Sequence, residues 1–96
     1  MVVGTMTIQL RLRDRQSLKD KRSVIKSLTA RVQHRFNVSI AETADNDRWQ
    51  SAELGVAAVS NSAAHANETL EHVIGFIERE RPDVEVIDYT VEILHV

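Results

Sequence analysis

His65, Glu68 and His72 recur at i, i+3 and i+7, so on a helix two imidazoles and a carboxylate share one face. Those are the donors a zinc-type ion takes, which makes the trio the first candidate for chemistry in this chain. Its spacing argues against a centre, because His65 and His72 stand ~10 Å apart at 1.5 Å rise per residue. One ion cannot join them without an outside ligand. Glu42, Asp45 and Asp47 gather oxygens around a turn, yet without the ligand spacing of an EF-hand loop. His34 and His95 have no partner in the pattern. No nucleophile is matched to a legible base, so the sequence predicts no catalytic residue, no metal site and no cofactor.

The dense chemistry is cationic. Arg11, Arg13, Arg15, Lys19, Lys21, Arg22 and Lys26 put seven basic side chains into the sixteen positions of RLRDRQSLKDKRSVIK. A net charge of −2 conceals this division. Residues 1–36 carry nine Lys or Arg against Asp14 and Asp20, a balance of +7; residues 37–96 carry three against twelve Asp or Glu, a balance of −9. Such asymmetry within a small chain predicts an oriented field, which bears on partners and not on fold.

The elements that must position these charges are legible from periodicity. TMTIQLRLR alternates, with Met6, Ile8, Leu10 and Leu12 on one side and Thr7, Gln9, Arg11 and Arg13 on the other, which is a half-buried strand. Ser17 with Asp20 three residues on reads as a helix N-cap, and Leu18, Val24, Ile25, Leu28, Val32 and Phe36 then share an apolar arc. A helix is expected from near Leu18 to near Arg35. NVSIAETA alternates around Val38 and Ile40, DNDR signals a turn, and WQSAELGVAAVS supplies the second arm of a hairpin. A second helix is expected over residues 63–80, stopped by Pro82. The last strand is expected to bury Ile87, Tyr89, Val91 and Ile93, and Trp49 to plug the edge of the core.

Strand, helix, strand, strand, helix, strand is two split βαβ units. Right-handed crossovers then give an α+β, ferredoxin-like βαββαβ fold, a four-stranded antiparallel sheet with two helices on one face and the other face bare. Ninety-six residues are expected to form a single domain, residues 1–96. There is no cysteine, which excludes disulfides and thiolate metal sites, and no apolar run approaches the ~18 residues of a membrane span. The opening residues alternate where a signal peptide would be continuously apolar, so the expected location is cytoplasmic, away from membranes.

On this topology the residues VGTMTIQLRL, SLKDKRSVIKSL, RFNVSIAE, RWQSAELGVAAVSN and VIDYTVEIL together resemble the YlxP-like family of small bacterial proteins of unknown function. The resemblance runs through nearly the whole chain, with SLKDKR and FNVSIAE its most distinctive parts. It implies a ferredoxin-like fold, no established catalytic activity, and a link to ribosomes or translation that comes from neighbouring genes and not from residues. Acylphosphatases share this length and strand order, but their GxVQGVxFR-type phosphate loop has no counterpart in LRDRQSLKDKR.

The expected function is therefore a non-enzymatic RNA- or ribosome-associated accessory protein. Lys19, Arg22 and Lys26 form a ridge ~10 Å long on the first helix. Lys21 falls in the apolar arc, where it is expected to snorkel past the sheet edge. Arg11 and Arg13 stand on the bare sheet face and Arg15 in the loop before the helix, whose N-terminal N–H groups favour anions. These seven are expected to converge on one positive surface and hold phosphates, with Arg31 and Arg35 as outliers. The bare face lacks the aromatics of an RRM, so backbone and shape are read and not bases. The alternative is a protein-interaction or homodimerisation module using the open sheet face, where Ser39, Ala41, Gly55, Ala57 and Val59 mix small and apolar groups among charges.

Overall fold

The computed structural model describes residues 1–13 and 17–96. The chain runs β1 (Val2–Leu12), α1 (Leu18–Arg35), β2 (Ser39–Ala44), β3 (Ser51–Ser60), α2 (Ala63–Glu80) and β4 (Val84–His95). The strands form one antiparallel sheet in the order β2-β3-β1-β4, which is the ferredoxin-like arrangement. Alternation in β1 drives it. Met6, Ile8, Leu10 and Leu12 are buried beneath the helices, while Thr7 and Arg11 face away. Ala52, Leu54, Val56 and Ala58 of β3 complete the floor of the core.

Both helices begin on serine caps. Ser17 Oγ accepts the Asp20 N–H at 3.1 Å, and Ser62 Oγ accepts the His65 N–H at 3.2 Å, each satisfying a donor the helix leaves unpaired. α1 buries Val24, Ile25, Leu28 and Val32, and α2 buries Leu70, Val73, Ile74, Phe76 and Ile77. α2 lies across β1, β3 and β4, whereas α1 lies against β2 and alongside α2. Gly4 makes the close approach of α2 to β1 possible: a Cβ there would stand 3.1 Å from Leu70 Cδ1 and 3.2 Å from Ala66 Cβ.

Three expectations change, at Ile87, at Trp49 and at Tyr89, which points inward opposite Ile8 but stays 37% exposed on the edge strand. Ile87 is 47% exposed, because the β1–β4 register shifts where Gln9 pairs with Asp88 and Leu10 with Val86. The bulge leaves Ile87 without a partner in β1 and hands the inward face to Val84 and Val86 before it, then to Tyr89, Val91 and Ile93 after it. Trp49 is 42% exposed, because it lies in the turn ahead of β3, outside the paired strand. Asp45 closes the preceding strand with φ 63°, a left-handed conformation that Asp tolerates better than most side chains, and its carbonyl accepts the Arg48 N–H at 3.0 Å.

Candidate nucleic-acid interface

The basic residues near the amino end divide into three environments. On the bare sheet face, Arg11 and Arg13 are both exposed and line an open depression with Gln50 and Ser51. Arg13 Nη2 donates to Glu85 Oε1 at 3.1 Å, a solvent-exposed pair that contributes little to stability. Arg11 stands opposite Glu85 in the ladder and carries no ion pair among the described residues.

On the far side of the molecule, Lys19, Arg22 and Lys26 are exposed along α1. At 100° per residue they fall within an arc of about 60°, pointing away from the apolar face that meets the sheet. None of the three is in an ion pair among the described residues. The other cations are largely engaged: Arg31 sits 3.7 Å from Glu80, Arg48 3.8 Å from Asp45, Arg81 2.7 Å from Asp83, and the Arg35 guanidinium lies 5.9 Å from the centroid of the Phe76 ring.

Lys21 occupies the third environment, and it corrects the sequence reading. Its side chain does not snorkel; it is wholly buried. Nζ lies 2.7 Å from Glu42 Oε2 and donates to the Asp45 carbonyl, so the ammonium fills the space beneath the β2–β3 turn. Glu42 Oε2 is buried too and has this ion pair as its polar contact among the described residues. A buried cation held this way is unavailable to a phosphate, so Lys21 leaves the candidate interface. The sequence offered a signal, since Lys21 falls inside the apolar arc of α1.

The single continuous surface expected from the sequence does not form. Arg11 and Arg13 lie on one broad face and the Lys19–Arg22–Lys26 ridge on the opposite one, with the helix layer and the sheet between them. Arg15 lies outside the described residues. Half of the fourteen acidic residues lie elsewhere, on α2 and β4. There Tyr89 donates its hydroxyl to Glu71 Oε2 at 3.1 Å, and this bond, with Glu78 behind it, raises the phenol pKa above its usual range. On the open face Glu53 accepts from Thr43 Oγ1 at 2.7 Å and from Gln9 Nε2 at 2.9 Å; those two bonds hold its pKa below the usual carboxylate range.

His65, Glu68 and His72 are exposed on α2. Among the described residues no three His, Asp or Glu side chains come together to hold a metal ion. No helix is long and apolar enough to cross a membrane.

Comparison with known proteins agrees with the βαββαβ order. Residues 3–91 match the model of a family described as "Protein of unknown function (DUF503)". The chain belongs to this family. Within reach of DUF503, it is similar to the "Uncharacterized protein YlxP" of Bacillus subtilis (strain 168), with 40% identity over 77 residues, covering 80% of this chain and 84% of that protein. Among solved structures it is similar to a de novo designed protein with ferredoxin fold, LFR1 1, at TM-score 0.55 and 16% identity, covering 98% of this chain and 84% of the design. The designed protein Foldit4 superposes at TM-score 0.51 with 13% identity, covering 99% and 97% of the two chains. At such identities the designs speak to the fold alone. DUF503 membership bears out the YlxP-like resemblance and carries no activity with it.

Proposed function

We propose that this DUF503 protein is a non-enzymatic cytoplasmic accessory factor that contacts the phosphate backbone of structured RNA, on the ribosome, through the exposed face of α1. One observation carries the reading. In a chain with more acids than bases, Lys19, Arg22 and Lys26 keep three adjacent positive charges free of any described carboxylate. Carboxylates engage most cations elsewhere, yet no described carboxylate pairs with this ridge. Three unpaired cations on a rigid helix suit a phosphate backbone, since neutralised phosphates release counterions and bring salt-dependent affinity. Arg11 belongs to a separate patch, and Arg13 is tied to Glu85.

The test is a salt titration of binding to ribosomal RNA. Each phosphate contact contributes about 0.7–0.9 to the slope of log affinity against log salt. Changing Lys19, Arg22 and Lys26 together to Glu should flatten the slope by about 2–3 and remove the protein from ribosomal particles in low-salt gradients. Unchanged co-sedimentation of that variant overturns the assignment.

A second reading has its own observation. At one end of the open sheet face Val3, Val59 and Leu94 stand side by side across β3, β1 and β4, with Val59 66% and Leu94 42% exposed. An apolar corner of this kind favours a homodimer through the open face. Sedimentation equilibrium of a Val59→Asp variant against the parent distinguishes the two readings, because the α1 ridge lies on the opposite side.

A further inference from the structure

The outer edge of β4 is open along half its length. Met1 and Val96 exchange two backbone hydrogen bonds, of 3.0 and 2.8 Å. In an antiparallel ladder such mutually bonded pairs recur at every second residue. The register holds through Val3↔Leu94, Thr5↔Glu92 and Thr7↔Thr90, so those residues of β4 turn their backbone groups toward β1. Val91, Ile93 and His95 lie between them and aim N–H and C=O groups outward, where no described residue meets them. The other half of the edge is interrupted. Asp88 Oδ1 accepts the Tyr89 N–H at 2.8 Å, the Val84 N–H is bonded to the Arg81 carbonyl at 3.0 Å, and the bulge at Ile87 breaks the run.

An unblocked edge is a template for one more strand. Its surroundings select the occupant by charge. Glu92 lines the open half on the open-face side with Asp88 just beyond its end, and Glu71 and Glu78 act from α2 on the neighbouring Tyr89 phenol. The arginines nearby, Arg13 and Arg81, are held by Glu85 and Asp83. A second copy of β4 would lay this acidic rim against its own, so electrostatics favours a cationic segment. We infer that the Val91–His95 edge of β4 accepts an extended Lys- or Arg-bearing peptide segment of a protein partner as a fifth strand. The backbone supplies the ladder, and the flanking carboxylates select for positive side chains. This surface is separate from the α1 ridge, so a protein partner and RNA could be held at once.

The probe is a capped seven-residue peptide of alternating lysine and valine, compared with a glutamate–valine peptide and with spermine, which has charge but no backbone. Amide hydrogen exchange of the whole chain is followed by NMR. The lysine peptide should slow exchange at Val91, Ile93 and His95 by about tenfold or more, while the glutamate peptide and spermine leave those amides unchanged. Glu92→Lys should weaken the lysine peptide several-fold without altering exchange in the core. The inference fails if the peptide perturbs only other surfaces, or if spermine protects the same amides. It fails equally if those amides are protected without peptide in proportion to protein concentration, which would make a second copy the occupant.

Discussion

Lys21 Nζ lies 2.7 Å from Glu42 Oε2 with the lysine side chain entirely out of solvent, joining the first turn of α1 to the end of β2. Breaking one half of a buried pair leaves the other charge stranded, at a cost of about 3–5 kcal/mol. Lys21→Met should therefore lower the unfolding free energy by roughly that amount, read from urea melts at neutral pH. Adding Glu42→Leu should recover most of the loss, since apolar side chains of similar volume commonly replace such pairs without penalty. A Lys21→Met protein as stable as the parent would show that the pair holds nothing together.

Gly4 sets how near α2 can approach the central strand. Valine there would drive its Cβ to 3.2 Å from Ala66 Cβ, which is fixed to the helix backbone, and 3.1 Å from Leu70 Cδ1, before the added methyl groups are placed. Overpacking of this kind costs about 1–3 kcal/mol, so Gly4→Val should melt at lower temperature while keeping its far-UV spectrum. A variant with the parental melting temperature would mean that the helix shifts freely on the sheet.

The strand and helix bounds were readable because each periodicity ends on a physical stop: Ser17 and Ser62 as caps, Pro82 after α2, the Asp45 turn between β2 and β3. What escaped was relational. Arg11 and Lys19 are neighbours in sequence, but alternation sends Arg11 to the bare face while α1 crosses to the other side. Periodicity assigns each residue to the face of its own element and says nothing of which faces are shared. The bulge at Ile87 escaped for the same reason, since VEVIDYTVEIL alternates acceptably in either register and only pairing with β1 decides. Lys21 was misread because a lysine in an apolar arc can either snorkel or find a buried partner, and Glu42 is twenty-one residues away.

Glu53 makes the open face pH-sensitive. Hydrogen bonds from Thr43 and then Gln9 depress its pKa, so the folded state prefers the carboxylate. Stability from this group is present above the ordinary carboxylate range and is lost as pH falls through the depressed value. Thr43→Val removes the larger of the two causes, so an NMR titration of the Glu53 carboxyl should move up toward its ordinary range. If the midpoint stays where it is in the parent, the Thr43 bond is absent in solution.

Tyr89 gives the acidic rim of β4 a spectroscopic reporter, because it is the chain's one tyrosine. Its hydroxyl donates to Glu71, and ionising the phenol would break that bond and set a third negative charge beside those of Glu71 and Glu78. Tyrosinate absorbance should therefore appear above the ordinary phenol value of about 10. The sign for stability follows. The raised pKa contributes below the unfolded value, and that contribution disappears as pH climbs through the folded one. Glu71→Gln removes the leading cause and should bring the midpoint down, leaving the smaller push of Glu78. A lysine-bearing peptide seated along β4 should also lower it, by offsetting the same carboxylates. A parental midpoint at the ordinary value, unmoved by Glu71→Gln, would mean that Tyr89 swings free of α2 and that the rim is less concentrated than the geometry requires.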